Sequence, residues 1–182
     1  GKITEAKEAE QKAKAIVAKY RGKTEYEKLK GYMTEICDLV SYNWDVYENG
    51  RAPYGNPWQP VWVFDGDETT NVVCEGYAKA FQYLCDLSVL WDAKCYTVEG
   101  AMSGGTGSGE HMWNIVTLGD KNYLVDVTNC DTDSIGAPDQ LFMAGAEGSI
   151  GGGYTVFLDS GQSITYQYAD NQYDLLGDAL EL

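Results

Sequence analysis

The chain has 182 residues, 13 of them basic and 28 acidic, for a net charge of −15. That balance repels phosphate, so nucleic acid and anionic membrane surfaces are excluded as expected partners. A hydrophobic share of 44% and an aromatic share of 13% suffice for a buried core. No apolar run approaches the length of about eighteen residues that a membrane-spanning helix needs, so no membrane insertion is expected.

The length predicts a single domain over 1–182. Residues 1–43 read as N-terminal helices, 44–130 as a core and 131–182 as C-terminal strands. Five cysteines occur, at 37, 74, 85, 95 and 130; the odd number leaves at least one thiol outside any disulfide. None are spaced Cys-x-x-Cys, and His111 is the only histidine. A structural zinc site is therefore disfavoured, and neither metal nor cofactor is expected. The given residues show no signal-peptide pattern, but the chain opens on Gly1 rather than Met, so a trimmed start is expected and the missing pattern says little about location.

Residues 4–20 predict a helix capped by Thr4, with Ala6, Ala9, Ala13, Ile16, Val17 and Tyr20 as its apolar stripe. Gly22 ends it. Thr24 with Glu27 forms a capping box for a second helix that runs to about Asn43. Its stripe is Tyr26, Leu29, Tyr32 or Met33, Ile36, Cys37 and Val40. Residues 45–70 hold Pro53, Pro57, Pro60, Gly50, Gly55 and Gly66 and read as a long loop, with Val61 to Phe64 as its one regular piece. Loops this long in compact domains are often functional.

Thr69 and Thr70 lead into a third helix, from Cys74 to about Leu87 or Val89. Val73, Tyr77, Ala80, Phe81 and Leu84 make its stripe. Cys74 falls in the first turn, where backbone N–H groups and the helix dipole favour a thiolate. A lone buried cysteine is more often core filling than nucleophile, so the rest of the chain has to decide.

Strand patterns follow. Residues 93–100 alternate and stop at Gly100. Ser103 to Gly109 is a glycine-rich loop without the Gly-Lys-Ser/Thr ending of a phosphate loop. His111 to Leu118 and Tyr123 to Thr128 form a hairpin about a turn at 119–122. A second hairpin joins 154–158 to 163–168 after a Gly-rich connection, 145–153. Helices followed by antiparallel strands predict an α+β fold.

Thiol acyl transfer needs a thiolate, a histidine to pair with it and a group that orients the histidine. His111 opens a strand after a glycine loop. The hairpin register sets it opposite residue 127 or 128, within a residue or two of Asp126. An acid inside Tyr-Leu-Val-Asp-Val-Thr is a poor strand residue and asks for a partner.

Val73-Cys74-Glu75-Gly76-Tyr77-Ala78, Glu110-His111-Met112-Trp113-Asn114 and Val125-Asp126-Val127-Thr128 together resemble the core motifs of the transglutaminase-like superfamily, over roughly residues 40–130. The resemblance implies a papain-like fold in which N-terminal helices and the nucleophile helix pack on an antiparallel sheet. It implies Cys74 as nucleophile, His111 as general base and later acid, and Asp126 as the residue orienting His111. The chain departs from the common pattern at Met112 and at Asn129-Cys130-Asp131. One oxyanion donor is then the Cys74 backbone N–H. Gln59, in the long loop, is the second candidate donor. Trp113 and Asn114, beside His111, are candidates for the substrate cleft.

The expected reaction is attack on a carboxamide of a protein or peptide substrate. Water as acceptor gives a protease or amidase, and an amine gives a transglutaminase; hydrolysis is the favoured branch. A binding or scaffold module of the same fold in a larger surface protein is the alternative. A secreted or envelope-exposed bacterial origin fits the Tyr, Gly and Asp richness, while the cysteine content fits a cytoplasmic one.

Overall fold

The structure is a computed structural model that describes residues 1–45, 54–67, 70–105, 107–145, 147–149 and 153–182. The 46–53 part of the expected long loop, Thr69 in the lead to Cys74, Thr106 in the glycine loop, and 146 and 150–152 in the Gly-rich connection lie outside the described residues. The order of elements is α+β, helices first and antiparallel strands second. The chain divides into two compact units, Gly1–Trp91 and Asp92–Leu182.

Helices build the first unit. Helix α1, Lys2–Lys19, begins earlier than the Thr4 cap predicts. Gly1 supplies the first carbonyl, accepting from the Glu5 N–H at 3.1 Å, and no side chain caps the end. Helix α2, Glu25–Leu39, carries the expected capping box, with Thr24 Oγ1 accepting from the Glu27 N–H and Glu27 Oε2 from the Thr24 N–H. It stops short of Asn43 because the following backbone finds other partners. Tyr42 bridges Val72 in parallel, and the Asn43 N–H donates to the Val72 carbonyl at 2.9 Å. Tyr26 lies 47% exposed, off the buried stripe, and Cys37 is half-buried rather than core.

Helix α3, Gln59–Val63, is one short turn in the proline-rich segment, with Pro60 in its first turn where no N–H is needed. Helix α4, Cys74–Leu87, is the centre of this unit: α1, α2 and α3 all pack on it. Of its expected stripe, Tyr77, Ala80, Phe81 and Leu84 are fully buried, together with Leu29, Tyr32 and Ile36 of α2, whereas Val73 is half-buried and precedes the helix. Each large side chain buried in this way stabilises the unit by roughly 1.5–3 kcal/mol.

The second unit is a six-stranded antiparallel sheet of β1, Ala93–Ser103; β2, Gly109–Leu118; β3, Lys121–Val125; β4, Glu147–Ser149; β5, Gly153–Phe157; and β6, Ser163–Tyr168. The strand order is β3-β2-β1-β6-β5-β4, so the two expected hairpins join through β1 and β6 into one sheet.

Several details differ from the sequence expectations, among them strand β4, which lies in the expected Gly-rich connection. Strand β1 does not stop at Gly100 but continues to Ser103. Gly100 sits between His111 on β2 and Tyr168 on β6, and a Cβ there would lie 1.9 Å from the Gln167 carbonyl oxygen. The glycine is a point of close approach between strands rather than a strand end. Strand β3 ends at Val125, one residue before Asp126. The Asp126 N–H donates to the Leu141 carbonyl, and a single helical turn, α5, Val127–Cys130, follows. Finally, a short helix α6, Gln172–Leu176, and a 3-10 turn, Gly177–Leu180, close the chain where no element was expected.

Candidate active site

In the first unit the candidate side chains gather at the N-terminus of α4. Cys74 is the first residue of the helix and is buried, and no side chain caps its first turn. Two neighbours engage this end. Gln59, on α3, accepts the Val73 N–H through Oε1 at 3.2 Å. That bond fixes the amide plane, and its Nε2 end makes no hydrogen bond among the described residues. The Tyr54 hydroxyl lies 3.6 Å from Cys74 Sγ.

Glu75 explains how Tyr54 arrives there. Its buried carboxylate accepts the Gly55 N–H at 2.6 Å and the Asn56 N–H at 3.3 Å, and it pairs with Lys79 one turn on at 3.0 Å. A carboxylate at a helix start is also favoured by the dipole. The 54–56 segment is therefore tied to the same helical turn that carries the thiol. Gly76 is required by the crowding: a Cβ there would meet Val72 Cβ at 2.5 Å and Gln59 Oε1 at 2.9 Å.

In the second unit the centre is Asp126, which is 0% exposed. His111 Nε2 lies 3.0 Å from Oδ1 and 2.9 Å from Oδ2. Asn129 Nδ2 donates to Oδ2 at 2.7 Å, and the Tyr166 hydroxyl donates to the same oxygen at 2.6 Å. Burial pushes the Asp126 carboxyl up, but the positive charge of His111 and the hydrogen bonds from His111, Tyr166 and Asn129 outweigh it and hold the group below the usual carboxylate range. Burial first, then the Asp126 charge, push the Tyr166 phenol well above its ordinary value, so it stays a donor.

Strand alternation sorts the neighbours of His111. Trp113 lies on the same face of β2, its ring stacked on His111 at 5.9 Å and tilted against Tyr166 at 5.0 Å. It is 1% exposed, and its indole Nε1 has no hydrogen-bond partner among the described residues. Asn114 lies on the opposite face. Its amide donates to the Tyr96 carbonyl and to Thr97 Oγ1 on β1, which ties β2 to β1.

The other cysteines differ from Cys74. All five are thiols, outside any disulfide. Cys130 shares α5 with Asn129, and burial, then the Asp126 carboxylate, push its thiol far up, so it stays protonated. Among the described residues no group of three His, Cys, Asp or Glu side chains could hold a metal ion.

Of the expected residues, His111 and Asp126 meet directly, and Gln59 stands at the Cys74 helix start. Cys74 belongs to the first unit and His111 to the second. Tyr54, Glu75, Asn129 and Tyr166 join the picture without having been expected. Asn129 had a readable signal, since a spacing of three after Asp126 returns to the same side of a helical turn. Tyr166 had none locally, because its partner lies 40 residues earlier.

No protein-family model matches the chain, and no curated protein matches it. Among solved structures, one described as "Crystal structure of a TGase" is similar at 15% identity with a TM-score of 0.48. The similarity covers 81% of this chain, which spans about a third (34%) of that one.

Proposed function

We propose that the chain performs thiol-dependent acyl transfer on peptide or amide bonds, with Cys74, His111 and Asp126 as a catalytic triad of the transglutaminase-like, papain-like kind. The observation that carries this reading is the buried His111–Asp126 pair, formed by the molecule's only histidine through Nε2. A carboxylate on Nε2 assigns that nitrogen its proton and leaves Nδ1 as the atom that exchanges a proton with a thiol. A thiol at an uncapped helix start supplies the complementary half.

In the mechanism, Cys74 gives its proton to His111, and the imidazolium is stabilised by the Asp126 carboxylate. The thiolate attacks the carboxamide carbonyl, and an S–C bond forms. The developing oxyanion is met by the Cys74 backbone N–H and by Gln59 Nε2, which the Val73 N–H holds by the far end of the amide. His111 then returns its proton to the leaving amine as the C–N bond breaks. Water or a primary amine, deprotonated by His111, resolves the thioester. Hydrolysis is the favoured branch. Trp113, stacked on His111, lies beside the reacting group, whereas Asn114 ties β2 to β1.

Iodoacetamide alkylation of Cys74 followed against pH is the direct test. Alkylation below pH 7 well above that of a peptide thiol, lost in His111→Ala, supports the pair. A rate equal to a peptide thiol's in both proteins removes it. Turnover of a peptide-amide library with and without an added primary amine then separates hydrolysis from transamidation, and Cys74→Ala must abolish both.

A further inference from the structure

We propose that Tyr166, seconded by Asn129, is a positioning residue for the His111–Asp126 pair, setting the charge and the angle of the carboxylate from strand β6. The inference rests on the acyl-transfer reading for its purpose, but the geometry stands within the second unit alone. Asp126 follows the end of its strand, and a residue there has no ladder to hold it. Its side chain is instead gripped at one oxygen. Oδ2 receives the Tyr166 hydroxyl at 2.6 Å, the Asn129 amide at 2.7 Å and His111 Nε2 at 2.9 Å, while Oδ1 receives only His111 among the described residues, at 3.0 Å. Three donors converging on one oxygen fix both carboxylate torsions and hence the plane in which the imidazole is held.

The donors are themselves fixed. Tyr166 alternates with Ile164 and Tyr168 on the buried face of β6, and its ring packs on Trp113 at 5.0 Å and faces His111 at 6.2 Å. Asn129 also donates to Met102 Sδ at 3.3 Å. The titratable groups facing the carboxylate are His111 from β2, Tyr166 from β6 and Cys130 from α5. The phenol and the Cys130 thiol stay protonated, so among these groups only the His111–Asp126 pair changes charge at neutral and acid pH.

A phenol merely filling core would be replaceable by phenylalanine without moving a titration. Tyr168 offers the matched control. It lies on the same face of the same strand, is buried, and donates to the Leu180 carbonyl instead of Asp126. His111 is the only histidine, so its ring gives one unambiguous set of 1H–15N resonances. In wild-type protein the acid-side step of those resonances marks protonation of the carboxylate on Nε2.

Tyr166→Phe removes one donor to a buried anion, so the carboxylate binds its proton more readily and the step moves up by about one pH unit. Tyr168→Phe leaves the step in place. Asn129→Ala, relieving the same oxygen, moves the step in the same direction and serves if Tyr166→Phe fails to fold. A step unchanged in Tyr166→Phe, or in Asn129→Ala where only that variant folds, or moved equally by Tyr168→Phe, overturns the proposal. Cys74 alkylation is read separately. A shifted step with an unactivated Cys74 keeps the positioning network and removes the acyl-transfer reading. An activated Cys74 with an unshifted step does the reverse.

Discussion

Asp126 is a fully buried acid, and a lone carboxylate in that setting would protonate rather than stay charged. Its three donors reverse the outcome and hold the group below the value of 3.8 that it has in the unfolded chain. A carboxyl with a lowered folded pKa contributes stability that is present above the unfolded value and disappears as pH falls through the folded one. Urea unfolding should therefore show the wild-type protein losing stability below pH 3.8 more steeply than Asp126→Asn, which has no such proton to take up. At neutral pH the same substitution should cut thiol-dependent turnover by about 10²–10⁴, since the imidazole loses its orienting charge. Gln59→Ala should lower kcat by about 10²–10³ with a smaller change in KM, as expected for a donor that acts on the oxyanion. Glu at this position keeps the bond to the Val73 N–H but has no donor, so Gln59→Glu should be nearly as impaired.

On the proposed reading, helix α4 joins packing and chemistry in one element. Its C-terminal three turns bury Tyr77, Phe81 and Leu84, and its first residue is the thiol. Phe81→Ala should cost about 3–5 kcal/mol in urea unfolding with an unchanged denaturant slope, because the cavity forms in a packed helix interface. Gly76→Ala acts differently. The added methyl would press on Val72 and on Gln59 Oε1, so it should displace the amide that meets the Val73 N–H. Turnover should fall together with stability there, whereas Phe81→Ala should leave the kcat of the folded fraction nearly intact. The apolar spacing made the helix and its buried face legible from the sequence. The glycine in the motif was legible as a motif only; its reason is an encounter with Val72 and α3.

At the scale of the whole molecule, the order of helices and strands was readable because each periodicity is local. Both hairpins followed from turn residues and alternation. Their union into one sheet through β1 and β6 did not, since that pairing joins residues such as Gly100 and Tyr168 across a long separation. The chain was expected to be one domain over 1–182, and the catalytic reading requires Cys74 and His111 to act on one substrate. A single coincident transition for the tryptophan signal and the far-ultraviolet helix signal in urea is the expected result. Two separated transitions would show Gly1–Trp91 and Asp92–Leu182 unfolding as independent bodies.

The sequence by itself determined the α+β order, the capping box, the buried stripe of α4, and the pairing of the single histidine with an acid too polar for its strand. Each of these depends on neighbours within a few residues or on one hairpin register. Tertiary structure alone decided that Asp126 leaves the strand, that Glu75 draws Tyr54 toward the Cys74 thiol, and that Tyr166 closes on Asp126. These depend on which backbone and side-chain groups meet across tens of residues, where a hydrogen bond leaves no periodic trace in the chain.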